Sequence, residues 1–236
     1  MPITELLWNV ALMLLCYVYV VMVILVSGRF EKVAHVSRKT SRKFLHIMIG
    51  NLLFVIPFFT ISFFPALVAA PFIFLTFLAS PYSPFKSVIT RMQGLSDITE
   101  EGHHLGLVFY AVSYTCLAFL FPLRAYVIAA GILPMAYGDA AASIVGEKFG
   151  KRKYKLVAPK SLEGSAVMFL VSFVSLTVSM VFFSFFYPFS LVEKIVAALA
   201  AAVVATFVEG FSPMGFDNIT VPVFSVLVFL LYSGGA

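Results

Sequence analysis

The sequence predicts an all-α polytopic membrane protein, a single bundle of about eight transmembrane helices. Composition is the first ground for this. Hydrophobic residues make up 61% of the 236, charged residues only 11%, and mean hydropathy is +1.03. Soluble globular chains carry about a quarter charged residues. The second ground is spacing, because the apolar residues fall into runs close to the roughly 20 that a helix needs to cross a hydrocarbon core. The third is charge placement: the basic residues gather in a few short connections instead of scattering.

The expected spans lie near 5–27, 44–61, 64–80, 105–121, 125–145, 164–187, 191–208 and 218–233. The first run lacks a basic stretch ahead of it and is long enough to span, so it reads as a retained helix and not as a cleaved signal. Pro65 separates the second run from the third with a minimal turn. A seven-span arrangement that merges or buries one of them is therefore the alternative. Cys16 and Cys116 both fall inside apolar runs, and two cysteines supply neither a disulfide framework nor a zinc spacing. Both read as packing residues. No soluble domain, internal repeat or low-complexity tail interrupts the pattern, and residues 1–236 read as one integral membrane domain. Within it, 1–41 form a peripheral first span and basic loop, and 42–236 form the core.

Lysine and arginine in the short loops set the orientation. Loop 28–43 carries Arg29, Lys32, Arg38, Lys39, Arg42 and Lys43; loop 81–104 carries Lys86 and Arg91; loop 146–163 carries Lys148, Lys151, Arg152, Lys153, Lys155 and Lys160. With eight spans these loops emerge on one side and hold 14 of the 16 basic residues, leaving Arg124 and Lys194 opposite. Both termini then lie outside, and the basic side is cytoplasmic. The acids follow the same side. Glu31, Asp97, Glu100, Glu101, Asp139, Glu147, Glu163, Glu209 and Asp217 fall on or near it, and only Glu5 and Glu193 lie across. Such a mixture suits a polar site as well as it suits solvated loops.

Asp139 stands out, because a charge at membrane depth costs at least a few kcal/mol and marks a functional or pore-facing position. On a helix, Asp139, Ala142, Ser143, Gly146 and Gly150 share one face. That face is either a small-residue seam for close helix packing or a bare surface that admits a bulky ligand, with Asp139 binding a metal ion or hydroxyls. The following loop contains no G-x-x-x-x-G-K-[ST] string, and no G-x-G-x-x-G string occurs in the chain. A glycine-flanked basic loop still offers backbone N–H groups and point charges to a triphosphate, although ordinary juxtamembrane charge accounts for Lys151, Arg152, Lys153 and Lys155. Lys160 differs, lying between Pro159 and Ser161 at the mouth of the sixth span. There Ser161 and Gly164 would leave a helix N-terminus open to an anion.

These residues carry a resemblance. Asp139-x-x-Ala142-x-x-x-Gly146-x-x-x-Gly150, followed by Pro159-Lys160-Ser161-x-Glu163-Gly164, spans 26 residues. It resembles the CTP-binding signature of dolichol kinases, which recurs in phytol kinases and CTP-dependent diacylglycerol kinases. Pro159 departs from the second basic residue usual there. Arg42-Lys43-Phe44-Leu45-His46 is similar to the opening of that family's second span. Glu209 with Asp217-Asn218-Ile219-Thr220-Val221-Pro222 is similar to its late acidic motif, and Gly106 to Tyr110 adds to the likeness.

The resemblance implies a CTP-dependent lipid kinase that transfers the γ-phosphoryl group to a polyprenol, dolichol, phytol or geranylgeraniol-type alcohol at the cytoplasmic membrane face. CTP comes from the resemblance alone. In that reading Asp139, Lys160, Glu209, Asp217 and His46 are the catalytic candidates. Arg42, Lys43, Ala142, Ser143, Gly146, Gly150, Ser161, Glu163 and Gly164 join Asp139 and Lys160 around the nucleotide. Asp139, Glu209, Asp217 and Asn218 are the candidate ligands for Mg²⁺, which takes one or two carboxylates plus substrate phosphates. Other duties stay open for several of them: Asp217 and Asn218 as helix caps, Arg42 and Lys43 as interface anchors, and His46 as a packed hydrogen-bonding residue. His103 and His104, in an acidic loop, are a weaker metal pair. The partners implied are CTP, a membrane-embedded lipid alcohol and the bilayer, without nucleic acid; a homodimer is compatible with the sequence. Rival readings are a diacylglycerol-type kinase, a cytidylyltransferase attacking the α-phosphate, and a transporter or lipid-flipping protein. The last predicts polar residues through the full bilayer depth, whereas here they gather toward one face.

Overall fold

The computed structural model describes residues 2–34, 38–84, 105–213 and 215–234, with side chains for all of these except 30–34 and 38–39. Lys86, Arg91, Asp97, Glu100, Glu101, His103 and His104 lie outside the described residues, as do the side chains of Glu31, Lys32, Arg38 and Lys39. The chain divides into two compact units, Met1–Leu123 and Arg124–Ala236.

In the first unit, α1 runs Ile3–Ala34 and α2 runs Arg38–Gly50, followed by a 3₁₀ helix Asn51–Phe58, α3 Phe64–Ala79 and α4 Gly106–Leu120. The second expected span is therefore not one regular helix. It tightens after Gly50 into 3₁₀ geometry that contains Pro57, whose missing N–H removes an α-helical donor. It also stays separate from α3. Buried Asn9 of α1 pins the turn between them, its Oδ1 accepting from the N–H groups of Thr60 (3.1 Å) and Ile61 (3.2 Å). Its Nδ2 donates to Thr60 Oγ1 and to the Glu5 carbonyl, each at 2.8 Å. All the polar atoms of this amide are satisfied, as burial demands. Pro65 stands in the first turn of α3, where a missing N–H costs nothing. Higher up, Val23, Leu45, Ala79 and Leu107 form a buried cluster joined by Tyr19, Ile24, Met48 and Ile49. Tyr19 donates to the Met48 carbonyl at 2.7 Å, and Ser27 donates to the Ser41 carbonyl at 2.9 Å. Cys16 is buried as expected, but Cys116 is on an exposed face of α4.

In the second unit, α5 (Ala125–Leu133) passes through a π-helical turn (Pro134–Gly138) into α6 (Asp139–Phe149). A two-stranded antiparallel hairpin follows, β1 Lys153–Lys155 and β2 Pro159–Ser161, and then α7 Leu162–Phe183, α8 Leu191–Phe211 and α9 Asp217–Tyr232. The fold is all-α as expected, and this short hairpin is a local addition between two of its helices.

Among the described residues, four helices are long and apolar enough to cross a membrane: Ile3–Arg29, Ala125–Phe149, Leu162–Phe183 and Leu191–Phe211. α3, α4 and α9 are apolar but shorter, so helical structure coincides with each expected run, while among the described residues four helices meet the length of a span. Their burial differs. The core window of Ala125–Phe149 is 78% buried, against 33% for α7 and α8, which makes Ala125–Phe149 the central helix of its unit, with α7 and α9 packed against it. α8 packs on α7 and α9. The outward residues of α7 and α8, such as Leu170, Val174, Val178, Val196 and Phe207, are large and apolar, as lipid contact requires. At the far end Lys194 is buried, donating to the Ser233 carbonyl at 2.9 Å with its ammonium over the Tyr126 ring. It thereby caps the carboxyl end of α9.

Candidate active site

Asp139 owes its position to the turn before it. Pro134 cannot donate, and its ring would clash with the carbonyl four residues back in a regular helix. The chain widens instead, and the Asp139 N–H bonds to the Pro134 carbonyl in the π pattern. Such a bulge shifts the helical register locally and is common at functional positions. Gly138 allows the crossing with α7, since a Cβ there would stand 2.2 Å from Ser172 Oγ. Asp139 begins α6 as a buried carboxylate.

Lys160 is set by the hairpin. Its cross-strand partner is Tyr154, flanked by the pairs Lys153 with Ser161 and Lys155 with Pro159. Directly opposed residues project from the same face of a β-ladder. Tyr154 forms a 2.7 Å hydrogen bond with Ser165 of α7, and Lys160 Nζ donates to Glu209 Oε1 of α8. Glu209 sits buried in the last turn of α8, where the helix dipole disfavours an anion, and the Lys160 cation offsets that.

Asp217 and Asn218 open α9 after a turn in which Gly215 takes φ +87°, a conformation suited to glycine. Asp217 Oδ1 accepts from the Asn218 N–H (2.9 Å) and from Asn218 Nδ2 (3.0 Å), and that amide also donates to the Gly215 carbonyl at 3.2 Å. The capping expectation is met in part, because the carboxylate takes a first-turn donor from position N1.

The hairpin and three helices thus bring one ammonium under the influence of three carboxylates. Burial works against the charge on Lys160, but Glu209, Asp139 and Asp217 outweigh it and hold its pKa above the usual lysine value. Stability from this arrangement is fully present below the unfolded value near 10.5 and is lost only as pH rises through the higher folded value. Among the described residues no group of three His, Cys, Asp or Glu side chains is close enough to hold a cation by itself.

The small face of α6 is engaged in packing. A Cβ on Gly164 would stand 3.1 Å from the Ala142 carbonyl, and one on Gly146 3.0 Å from Ser161 Oγ. On Gly150 it would fall 2.2 Å from the Gly146 carbonyl and 2.7 Å from Ser161 Cβ. Ser143 is half-buried on the same helix. Gly150→Ala is therefore expected to destabilise the protein by about 1–3 kcal/mol through overpacking, read as a lower thermal midpoint in detergent.

The amino end of α7 is also less open than expected. Ser161 is its N-cap, its Oγ accepting from the Gly164 N–H at 3.1 Å. The Leu162 N–H bonds to the Arg152 carbonyl at 3.0 Å, and the Glu163 carboxylate accepts from the Arg152 N–H at 3.2 Å. Lys153 is exposed and donates to the Gly146 carbonyl at 3.1 Å. Lys153→Ala is expected to change turnover by less than about twofold, since exposed substitutions are usually worth within about 0.5 kcal/mol; a phosphoryl-transfer assay checks it.

Arg42, Lys43 and His46 belong to the first unit, all buried in the middle of α2. His46 Nδ1 lies 2.9 Å from the Arg42 carbonyl. A carbonyl only accepts, so Nδ1 carries a proton and Nε2 is the basic nitrogen of the neutral ring. The ring meets Tyr110 edge to face at 4.6 Å, and Tyr110 donates to the His46 carbonyl at 2.9 Å. His46 is thus packed and hydrogen-bonded within the first unit. Sequence reasoning passed over Tyr154, although a lone aromatic among the lysines and arginines of the basic loop was a visible signal.

The chain is 31% identical over 215 residues to a phytol kinase of Synechocystis sp., covering 89% of this chain and 86% of that protein. The chain belongs to the phytol kinase family. A second relative in the family, a probable chloroplastic phytol kinase 3 of Glycine max, is 31% identical over 202 residues. That match covers 81% of this chain and 62% of the relative, so the chain spans less than two thirds of that protein's length. A match over 89% of the chain reaches into both compact units, and kinship with phytol kinases is not confined to the carboxylate-bearing half. No protein-family model matches the chain, and no solved structure does.

Proposed function

We propose that the chain is a CTP-dependent lipid alcohol kinase that phosphorylates an isoprenoid alcohol of the phytol, geranylgeraniol or polyprenol type at the cytoplasmic membrane face. The observation that carries this reading is the convergence of Lys160 with the carboxylates of Glu209, Asp139 and Asp217, in a chain whose relatives are named phytol kinases. CTP as donor is supported by the signature that runs from Asp139 to Gly164.

Three carboxylates facing one ammonium would repel a bare triphosphate, so the donor set fits a nucleotide that arrives with a divalent cation. Asp139 and Asp217 would hold Mg²⁺ through hard carboxylate oxygens, sharing it with the donor phosphates. Such an ion would supply positive charge that screens the donor phosphates. Asn218 orients the Asp217 carboxylate through its Nδ2–H. Glu209 fixes Lys160, whose ammonium offsets the charge on the transferring γ-phosphoryl group. The acceptor oxygen attacks the γ-phosphorus, the bond from that phosphorus to the β,γ-bridging oxygen breaks, and CDP leaves with its electron pair. The hydroxyl proton passes to a carboxylate oxygen of Asp139 or Asp217. Positioning and charge stabilisation supply most of the acceleration in such transfers.

The deciding assay uses purified protein, CTP labelled on the γ-phosphate, and a panel of phytol, geranylgeraniol, polyprenol, dolichol and diacylglycerol. Label in an isoprenoid monophosphate with release of CDP is the expected result. Release of pyrophosphate would mean cytidylyl transfer, label only in phosphatidate would mean a diacylglycerol kinase, and no labelled lipid would overturn the reading.

A further inference from the structure

Tyr154 is the inward-turned side chain of β1. Lys153 and Lys155 on either side of it are exposed, whereas Tyr154 is half-buried. The ladder sets it opposite Lys160, the half-buried residue of β2, and opposed residues of an antiparallel pair project from the same side. The two side chains reach different helices. Lys160 Nζ donates to Glu209 Oε1 of α8, and the Tyr154 hydroxyl shares its 2.7 Å hydrogen bond with Ser165 of α7. The phenolic oxygen also lies against the residue after Glu209, because a Cβ on Gly210 would stand 3.3 Å from it. Two consecutive residues of α8 thus receive the two members of one cross-strand pair: Glu209 takes the ammonium, and Gly210 leaves room for the phenol.

A ladder of three residue pairs has little stability of its own, since an isolated two-stranded hairpin is marginal at best. The place of Lys160 therefore depends on the side chains that fasten the hairpin to the helices. Its own contact with Glu209 is one that the ammonium loosens when it turns toward a phosphate oxygen. The contact of Tyr154 with Ser165 joins two neutral hydroxyls and does not involve the ammonium. It can persist through that turn and keep the backbone of β2 in place while the lysine side chain moves.

We propose that Tyr154 is a positioning residue for phosphoryl transfer: its hydroxyl, fastened to Ser165, holds β2 so that the Lys160 ammonium stays within reach of the donor phosphates. Tyr154 acts through Lys160 and not on the reacting atoms. The inference rests on the kinase reading above and adds the residue that fixes where its cation stands.

Tyr154→Phe keeps the ring and removes the hydroxyl. In initial-rate assays with CTP and phytol, kcat is expected to fall about two- to tenfold, the scale of one hydrogen bond, with KM for phytol unchanged. Ser165→Ala is expected to match it. The double variant Tyr154→Phe with Ser165→Ala is expected to lose no more than either single one, because both remove the same bond. Losses that multiply in the double variant would overturn the proposal. So would a lower thermal midpoint with kcat per folded molecule intact, the pattern of a merely structural hydroxyl.

A second measurement needs no turnover. The folded protein in detergent is treated briefly with acetic anhydride, and acetylation of Lys160 relative to exposed Lys148 is read by mass spectrometry. Tyr154→Phe is expected to raise that ratio by about two- to tenfold, the same hydrogen bond being lost from the restraint on Lys160. An unchanged ratio would overturn the proposal. Acetylation reads the restraint on Lys160 without any substrate, so a protein that phosphorylates no alcohol overturns the kinase reading separately.

Discussion

Asp139→Asn is expected to lower turnover by on the order of a thousandfold, about 4 kcal/mol of barrier, while the protein remains folded and extractable. Asparagine keeps the shape of the side chain, so the packing around the start of α6 survives. What is lost is an anionic oxygen close enough to Lys160 to raise its pKa. Initial rates against CTP concentration, beside a thermal midpoint in detergent, separate the two effects. The expected pattern is a collapsed kcat with a nearly unchanged midpoint. Activity within a few fold of the parent would remove Asp139 from the site.

The second large effect is expected at Lys160, and there catalysis and stability are entangled. Lys160→Met leaves Glu209 buried without its cation, and breaking a buried pair from one side destabilises by about 3–5 kcal/mol. The single variant should therefore lose both turnover and thermal stability. Adding Glu209→Gln removes the stranded charge and is expected to return most of the midpoint, because replacing a buried pair as a whole is often close to neutral. Turnover should stay lost in the double variant. Recovery of activity there would show that transfer does not need the ammonium. An unchanged midpoint in Lys160→Met would mean that the Glu209 contact contributes nothing in solution.

The parts of this chain that were legible in its sequence are those imposed by the bilayer. Apolar runs marked the helices because lipid leaves the backbone no other partner, and Asp139 stood out because a carboxylate in such a run is costly. Lys160 was separable from its basic neighbours by its setting between Pro159 and Ser161. Convergence with Glu209 and Asp217 was legible only through the family resemblance, since nothing local to those residues says which helix ends meet.

What escaped the sequence depends on tertiary anchoring. Strands of three residues have little intrinsic preference, and the hairpin takes its form from the ties of Tyr154 to Ser165 and of Lys160 to Glu209. The π turn has a visible trigger in Pro134, but its accommodation depends on how closely α7 crosses at Gly138. The glycines of α6 suited a ligand surface or a packing seam equally well on paper. Their distances to Ser161 give them a packing duty.

The contrast between a central helix enclosed on most sides and neighbours turned outward has a consequence for how this family diverges. An outward side chain in lipid must be greasy but need not be any particular shape, so the rim of α7 and α8 can drift freely among Leu, Val, Ile and Phe. Ala125–Phe149, 78% enclosed along its core, has no such latitude. When distant members of the family are aligned, unchanged positions should crowd along that one segment and thin out along the rim.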